Sequence, residues 1–253
     1  MKWTFKVGVT LSYFFMMTLN TLANLLPING ITTGEVSDNY NNFFAPAGYT
    51  FAIWGVIYFL LALYVLRIWL NKIDGHAHEI AGFFMISSFA NGLWMLAWHF
   101  DYIGVSLILM LVILICLIKI AYLTKPGDRI QNIIFHVYFG WITVATIANI
   151  TTFFVKLDYA YAFLSIPHYY LFMVVIFTGV TIAFFTALKF KSLAYMTVIF
   201  WSYIGILVKI LNLFPSSQRN LMTVGLIVCI AVIFGTCAYL AYETLNRQQK
   251  MAS

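Results

Sequence analysis

Tyr138-Phe-Gly-Trp-Ile-Thr-Val-Ala-Thr-Ile-Ala-Asn149 lies within a longer apolar segment, 132–155, and spaces Tyr138, Trp141, Ala145 and Asn149 at three- and four-residue steps. Such steps return to one side of an α-helix. Two further apolar segments repeat the device, one with Phe51, Trp54 and Tyr58, the other with Ser87, Asn91, Trp94 and Trp98. A carboxamide turned toward hydrocarbon finds no hydrogen-bond partner there. Stripes of indole, carboxamide and small side chains therefore face one another and predict a lined hollow inside a helical bundle.

Working outward, composition fixes the class. Of 253 residues, 63% are hydrophobic and 9% charged, whereas an ordinary soluble domain is about 25% charged. The chain reads as an all-α integral membrane protein. Apolar runs of spanning length, about 20 residues, predict eight helices at roughly 7–27, 46–70, 80–99, 102–124, 132–155, 165–188, 192–213 and 220–245. Little is left for a soluble domain.

The cations set the expected orientation. With a cytoplasmic amino terminus, Lys2, Lys6, Arg67, Lys72, Lys119, Lys125, Arg129, Lys189, Lys191, Arg247 and Lys250 share one side, against Lys156 and Arg219 on the other. The positive-inside bias then predicts both termini in the cytoplasm and an even number of spans. The net charge of +6 is a topology signal, and no continuous basic patch suggests nucleic acid as a partner. The first apolar stretch, Val7 to Leu26, contains Asn20 and Asn24 and exceeds the 7–15 residues of a signal-peptide core. It reads as a retained helix, with the bacterial cytoplasmic membrane as the expected location.

Chemistry-bearing residues are sparse. All eight acidic residues, Glu35, Asp38, Asp74, Glu79, Asp101, Asp128, Asp158 and Glu243, fall in loops or at helix ends, which argues against a carboxylate proton relay. Lys209 lies within a predicted span about one turn from its outer end, where its stem is expected to snorkel to the headgroups; the alternative is a contact with an anionic ligand group. The five His residues lack metal-ligand spacing, although His168 is placed to meet a planar ligand. Cys116, Cys229 and Cys237 sit in spans as small buried hydrophobes. Trp3, Trp69, Tyr159 and Tyr161 fit interfacial anchors, as does the aromatic stretch 159–167. No nucleophile with its base and no cofactor loop is evident. The connection over residues 27–45, with two Gly and no basic residue, is long enough to fold over a bundle mouth as a lid.

Three motifs carry a resemblance. Pro46-Ala-Gly-Tyr-Thr-Phe-Ala-Ile-Trp-Gly-Val-Ile-Tyr58, Asn91-Gly-Leu-Trp94 and the Tyr138–Asn149 stretch resemble, in the same order, the second-, third- and fifth-helix signatures of the TspO family, the tryptophan-rich sensory proteins related to the mitochondrial translocator protein. The resemblance covers residues 1 to about 155. It implies a five-helix bundle over 1–155 that binds tetrapyrroles, sterol-like lipids or flat synthetic ligands, with three additional helices over 156–253. The implied site residues are Trp54, Tyr58, Asn91, Trp94, Tyr138, Trp141, Ala145 and Asn149. Trp54 and Trp141 would supply flat walls, Ala145 clearance and Asn91 a hydrogen bond to a ligand carbonyl or carboxylate. Val137, Tyr49 and Ser87 depart from the family pattern, which bears on the ligand more than on the fold.

The expected function is a membrane receptor, sensor or carrier for a hydrophobic planar small molecule such as a porphyrin, haem or sterol-like lipid. No catalytic or metal residue is assigned. An enzyme that degrades or modifies a tetrapyrrole or lipid stays open, as does a structural subunit with no ligand. Beyond the lipid bilayer and that ligand, a homodimer is the partner arrangement left open.

Overall fold

The computed structural model describes residues 2–25, 28–40, 42–71, 75–125, 127–157, 168–213 and 216–252. The interfacial stretch 159–167, the acidic positions Asp74 and Asp158, and the side chains of Asn24 and His168 lie outside that description. The helices are α1 (Trp3–Leu25), the short α2 (Thr33–Asp38), α3 (Ile53–Trp69), α4 (Ala77–His99), α5 (Ile103–Leu123), α6 (Arg129–Lys156), α7 (His168–Phe190), α8 (Leu193–Leu213) and α9 (Ser216–Ala252).

Local chemistry sets several boundaries. Asp128 caps α6 by accepting from the Gln131 N–H at 3.0 Å, satisfying one of the donors a helix start leaves free. The turns from α4 to α5 and from α7 to α8 pass through Asp101 and Lys191 with φ of 63° and 49°. Thr32 and Glu35 form a capping box that makes α2 a helix despite its six residues.

Seven helical segments, from Gly48–Trp69 through Arg219–Asn246, are long and apolar enough among the described residues to cross a membrane. The sequence predicts eight. The difference is the first: α1 forms and has 23 residues, yet Lys6, Thr10, Ser12, Thr18, Asn20, Thr21 and Asn24 dilute its apolar character.

Helix neighbours define a closed ring in the order α1, α3, α6, α5, α4 and back to α1. Its core is a continuous apolar cluster running from Val9 through Ile57, Phe84 and Ile113 to Trp141. Small residues set the close approaches. A Cβ on Gly92 would lie 2.6 Å from the Phe15 ring, and one on Gly140 would lie 2.8 Å from the Tyr195 carbonyl oxygen. The second contact presses the α8 backbone against α6. From there α8 packs on α9, and α9 on α7, so the C-terminal helices flank the ring on its α6 side.

Candidate functional site

The helical register of α6 places Trp141, Val144, Ala145, Ala148 and Asn149 along one inward face, and these line a cavity. Trp54 completes the wall from the first turn of α3, Phe51 from the short 3-10 turn Gly48–Ala52 just before it, Trp94 and Trp98 from α4, and Ser37 and Pro46 from the segment between α1 and α3. The space measures about 410 Å³ when its open mouth is counted, while its enclosed part accommodates only water-sized groups. The aromatic rings fill the rest.

Trp54 is the hub of that filling. Its ring stacks on Tyr58 at 5.4 Å and lies 5.9 Å from Trp94, 5.9 Å from Trp141 and 6.1 Å from Tyr138. Phe51 meets Trp141 edge-on at 5.7 Å, and Trp98 stacks on Trp94 at 5.9 Å. Offset and edge-on contacts of this kind are the favoured geometries for aromatic pairs. The three stripes thus converge.

Polar groups divide into two sets. Asn149 Oδ1 accepts from Trp94 Nε1 at 3.3 Å and Ser106 Oγ at 2.7 Å, while its Nδ2 donates to the Ala145 carbonyl. Asn91 accepts from Asn20 Nδ2 at 2.8 Å and donates to the Tyr138 hydroxyl at 3.0 Å. Asn91, Tyr58 and Tyr138 lie behind the lining instead of in it. The expected ligand donor, Asn91, is a strut between α1, α4 and α6. The expected apolar walls are the free donors: the buried Nε1 atoms of Trp54 and Trp141 have no hydrogen-bond partner among the described residues.

The described residues between 28 and 50 form the segment that closes on the cavity through Ser37 and Pro46; it contains most of the connection, 27–45, whose length suggests a lid. His99, at the end of α4, holds one end through Ile28 O and Thr33 Oγ1 at 3.1 and 3.2 Å, and Trp98 Nε1 donates to Thr33 O at 3.2 Å. Tyr40 donates to Asp101, which also pairs with Lys156 at 2.6 Å. Asn42 Nδ2 bonds Ala148 O, Thr151 Oγ1 and Thr152 Oγ1 on α6. Hydrogen bonds from the Thr32 backbone and hydroxyl hold the Glu35 carboxyl below its ordinary range. Burial pushes Asp101 upward, but Lys156 and Tyr40 outweigh it and leave that carboxyl low.

Lys209 departs from the snorkelling expectation. Its side chain is only 7% exposed, and Nζ lies 2.9 Å from Asp38 Oδ1 at the end of α2. Sequence reading also missed Ser37, Pro46, Val144 and Ala148 as lining residues. The last two share the α6 face of Trp141 and Ala145, so the spacing contained that signal; nothing local marks Ser37. Among the described residues no three of His, Cys, Asp and Glu gather into a metal-ligand set.

No curated protein and no solved structure matches this chain. The TSPO-like protein family matches residues 6–239, well past the 155 residues that the motifs alone indicate and through most of α9. The helices α7 and α8 and most of α9 therefore fall inside the match, and the chain belongs to the TSPO-like protein family.

Proposed function

We propose that this protein is a membrane receptor, sensor or carrier that holds a planar, mostly apolar molecule between Trp54, Trp94 and Trp141 and releases it unchanged. One observation carries the reading: two indole N–H groups, on Trp54 and Trp141, are buried at the cavity wall without a partner among the described residues. A buried donor without an acceptor is costly, and an acceptor-bearing ligand removes that cost. Family membership supports the hydrophobic ligand class. Apolar burial supplies most of the affinity, at about 25 cal/mol per Å², and the two donors orient the guest.

A metal-free porphyrin or a sterol-like lipid with a carbonyl or carboxylate fits these residues better than an axially ligated haem. Among the described residues the lining holds no His, Cys or Met side chain to meet the iron. Because the enclosed space is water-sized, the indoles must part to admit a macrocycle, and Ala145 leaves the clearance on α6.

The test is quenching of tryptophan fluorescence by protoporphyrin in mild detergent. Trp54→Phe and Trp141→Phe keep a ring and lose the donor, and each should weaken binding about ten-fold. Trp141→Ala should weaken it further, while Trp3→Ala, 69% exposed on α1, should leave it unchanged. Equal effects at positions 3 and 141 would remove the cavity assignment. An absorbance change that accumulates with turnover would shift the reading to catalysis.

For the disposition in the membrane, we infer eight spans with both termini in the cytoplasm of a bacterium, residues 1–155 forming the ligand-binding bundle. The cation asymmetry supports the orientation, and the place of α1 within the ring supports its spanning alongside its neighbours. Labelling of single cysteines placed at residues 2 and 249 from each side of sealed vesicles tests both.

A further inference from the structure

Three residues of α8, Trp201, Gly205 and Lys209, recur at four-residue steps and so share one helix face. All three meet the closing segment. Trp201 Nε1 donates to the Thr50 carbonyl at 3.0 Å, the Gly205 carbonyl accepts from the Ala47 N–H at 3.1 Å, and Lys209 pairs with Asp38 at 2.9 Å. Asp38 follows Ser37, and Ala47 follows Pro46; Ser37 and Pro46 line the cavity. One face of one C-terminal helix thus touches the closing segment beside both of its lining residues.

We infer that this face is a latch, with Lys209 and Asp38 as its releasable element, through which the C-terminal helices control admission to the cavity; the inference rests on the binding reading above. The two charges are unequally placed. Lys209 is 7% exposed and Asp38 is 53% exposed. Lifting α2 from α8 strands the ammonium in a poorly solvated site, so the pair favours closure. Water reaches the carboxylate, so salt weakens the pair. The hydrogen bonds to His99, Asp101 and α6 hold the chain on either side of α2, whereas Lys209 holds the last residue of that helix. Because α8 is pressed on α6 at Gly140, a shift of α8 is transmitted to the mouth. Lys209 is a positioning residue.

The experiment needs a readout of opening that requires no ligand. Ser37 is 3% exposed, so Ser37→Cys in the full-length protein, with the half-buried Cys237 changed to Ser, reports opening by its rate of labelling with a charged maleimide. Lys209→Met and Asp38→Asn should each raise that rate about five-fold or more. The double swap Asp38→Lys with Lys209→Asp should return it to within about two-fold of the parent. Raising salt from about 50 mM to about 500 mM should speed labelling of the parent and leave Lys209→Met unaffected.

The same variants, without the cysteine changes, are then mixed with protoporphyrin in a stopped-flow instrument. Association and release should both quicken in Lys209→Met and Asp38→Asn. Labelling rates that stay equal across all variants overturn the latch, whatever the quenching does. Faster labelling without quenching in any protein, parent included, leaves the latch standing and removes the binding reading. Should Lys209→Met fail to assemble, Asp38→Asn, which alters the exposed partner, decides alone.

Discussion

Helices α6 and α9 are both long and apolar, yet 78% of the spanning window of α6 is buried against 33% of that of α9. The difference lies in what each helix offers its neighbours. Lipid tails are as apolar as Leu, so apolar side chains alone give helices little reason to associate in a bilayer. Helix α6 offers directional groups on several sides: Tyr138 to Asn91, Thr143 to Tyr195 at 3.1 Å, and Asn149 to both Trp94 and Ser106. Helix α9 offers one buried stripe, Met222, Leu226, Cys229, Ile233 and Leu240, with an ion pair of Glu243 to Lys191 one turn beyond it. A helix joined on many sides becomes the axis of a site; a helix joined on one side becomes a wall.

Substitutions can break or sharpen that contrast. The largest effect is expected from Asn149→Leu, which strands the Trp94 N–H and the Ser106 hydroxyl and should cost about 3 kcal/mol of stability in detergent unfolding. A loss no greater than that of Cys229→Ala in α9 would erase the distinction. Gly140→Ala should follow at about 2 kcal/mol, because its Cβ meets the Tyr195 carbonyl oxygen at 2.8 Å and a backbone atom cannot swing aside.

A smaller effect is expected from acid at the mouth. Glu35 and Asp101 both have lowered carboxyl pKa values, so their stabilisation is complete above the unfolded values of about 4 and is lost as pH falls through the lower folded values. Amide exchange at residues 33–40 should therefore stay slow from pH 7 to about 5 and quicken only below about 4. Quickening at neutral pH would mean that these carboxylates do not hold the segment. The smallest effect, and of opposite sign, is Gly235→Ala in α9. A Cβ there meets nothing within 4 Å, so helix propensity alone acts and should add about 0.5–1 kcal/mol.

Much of this was legible from residue spacing. The stripes specify inward faces because indoles and carboxamides need partners, and Trp54, Trp94, Tyr138 and Trp141 do meet. Helix limits also follow the apolar runs closely, as with 80–99 against Ala77–His99 and 192–213 against Leu193–Leu213. Roles within the inward set were less legible. Asn91 shares a stripe with Trp94, but periodicity gives direction only, and whether an amide meets a ligand or another amide depends on which helix stands opposite. The Lys209–Asp38 pair joins residues 171 apart, and nothing near either one announces the other. The three helices over 156–253 carry no legible role in the sequence for a similar reason: an apolar side chain facing lipid and one facing a neighbouring helix look alike in sequence.

The 171 positions from Asp38 to Lys209 also separate them in time. At about 5–20 residues per second of synthesis, Lys209 emerges on the order of ten to thirty seconds after the acidic partner it must find. The last ring helix ends at Lys156, 53 residues before Lys209, so for about three to ten seconds the ring helices have left the ribosome while the Lys209–Asp38 pair is still unmade. On the binding and latch readings proposed above, a guest present in the membrane at that moment would be enclosed as translation finishes, without any later opening.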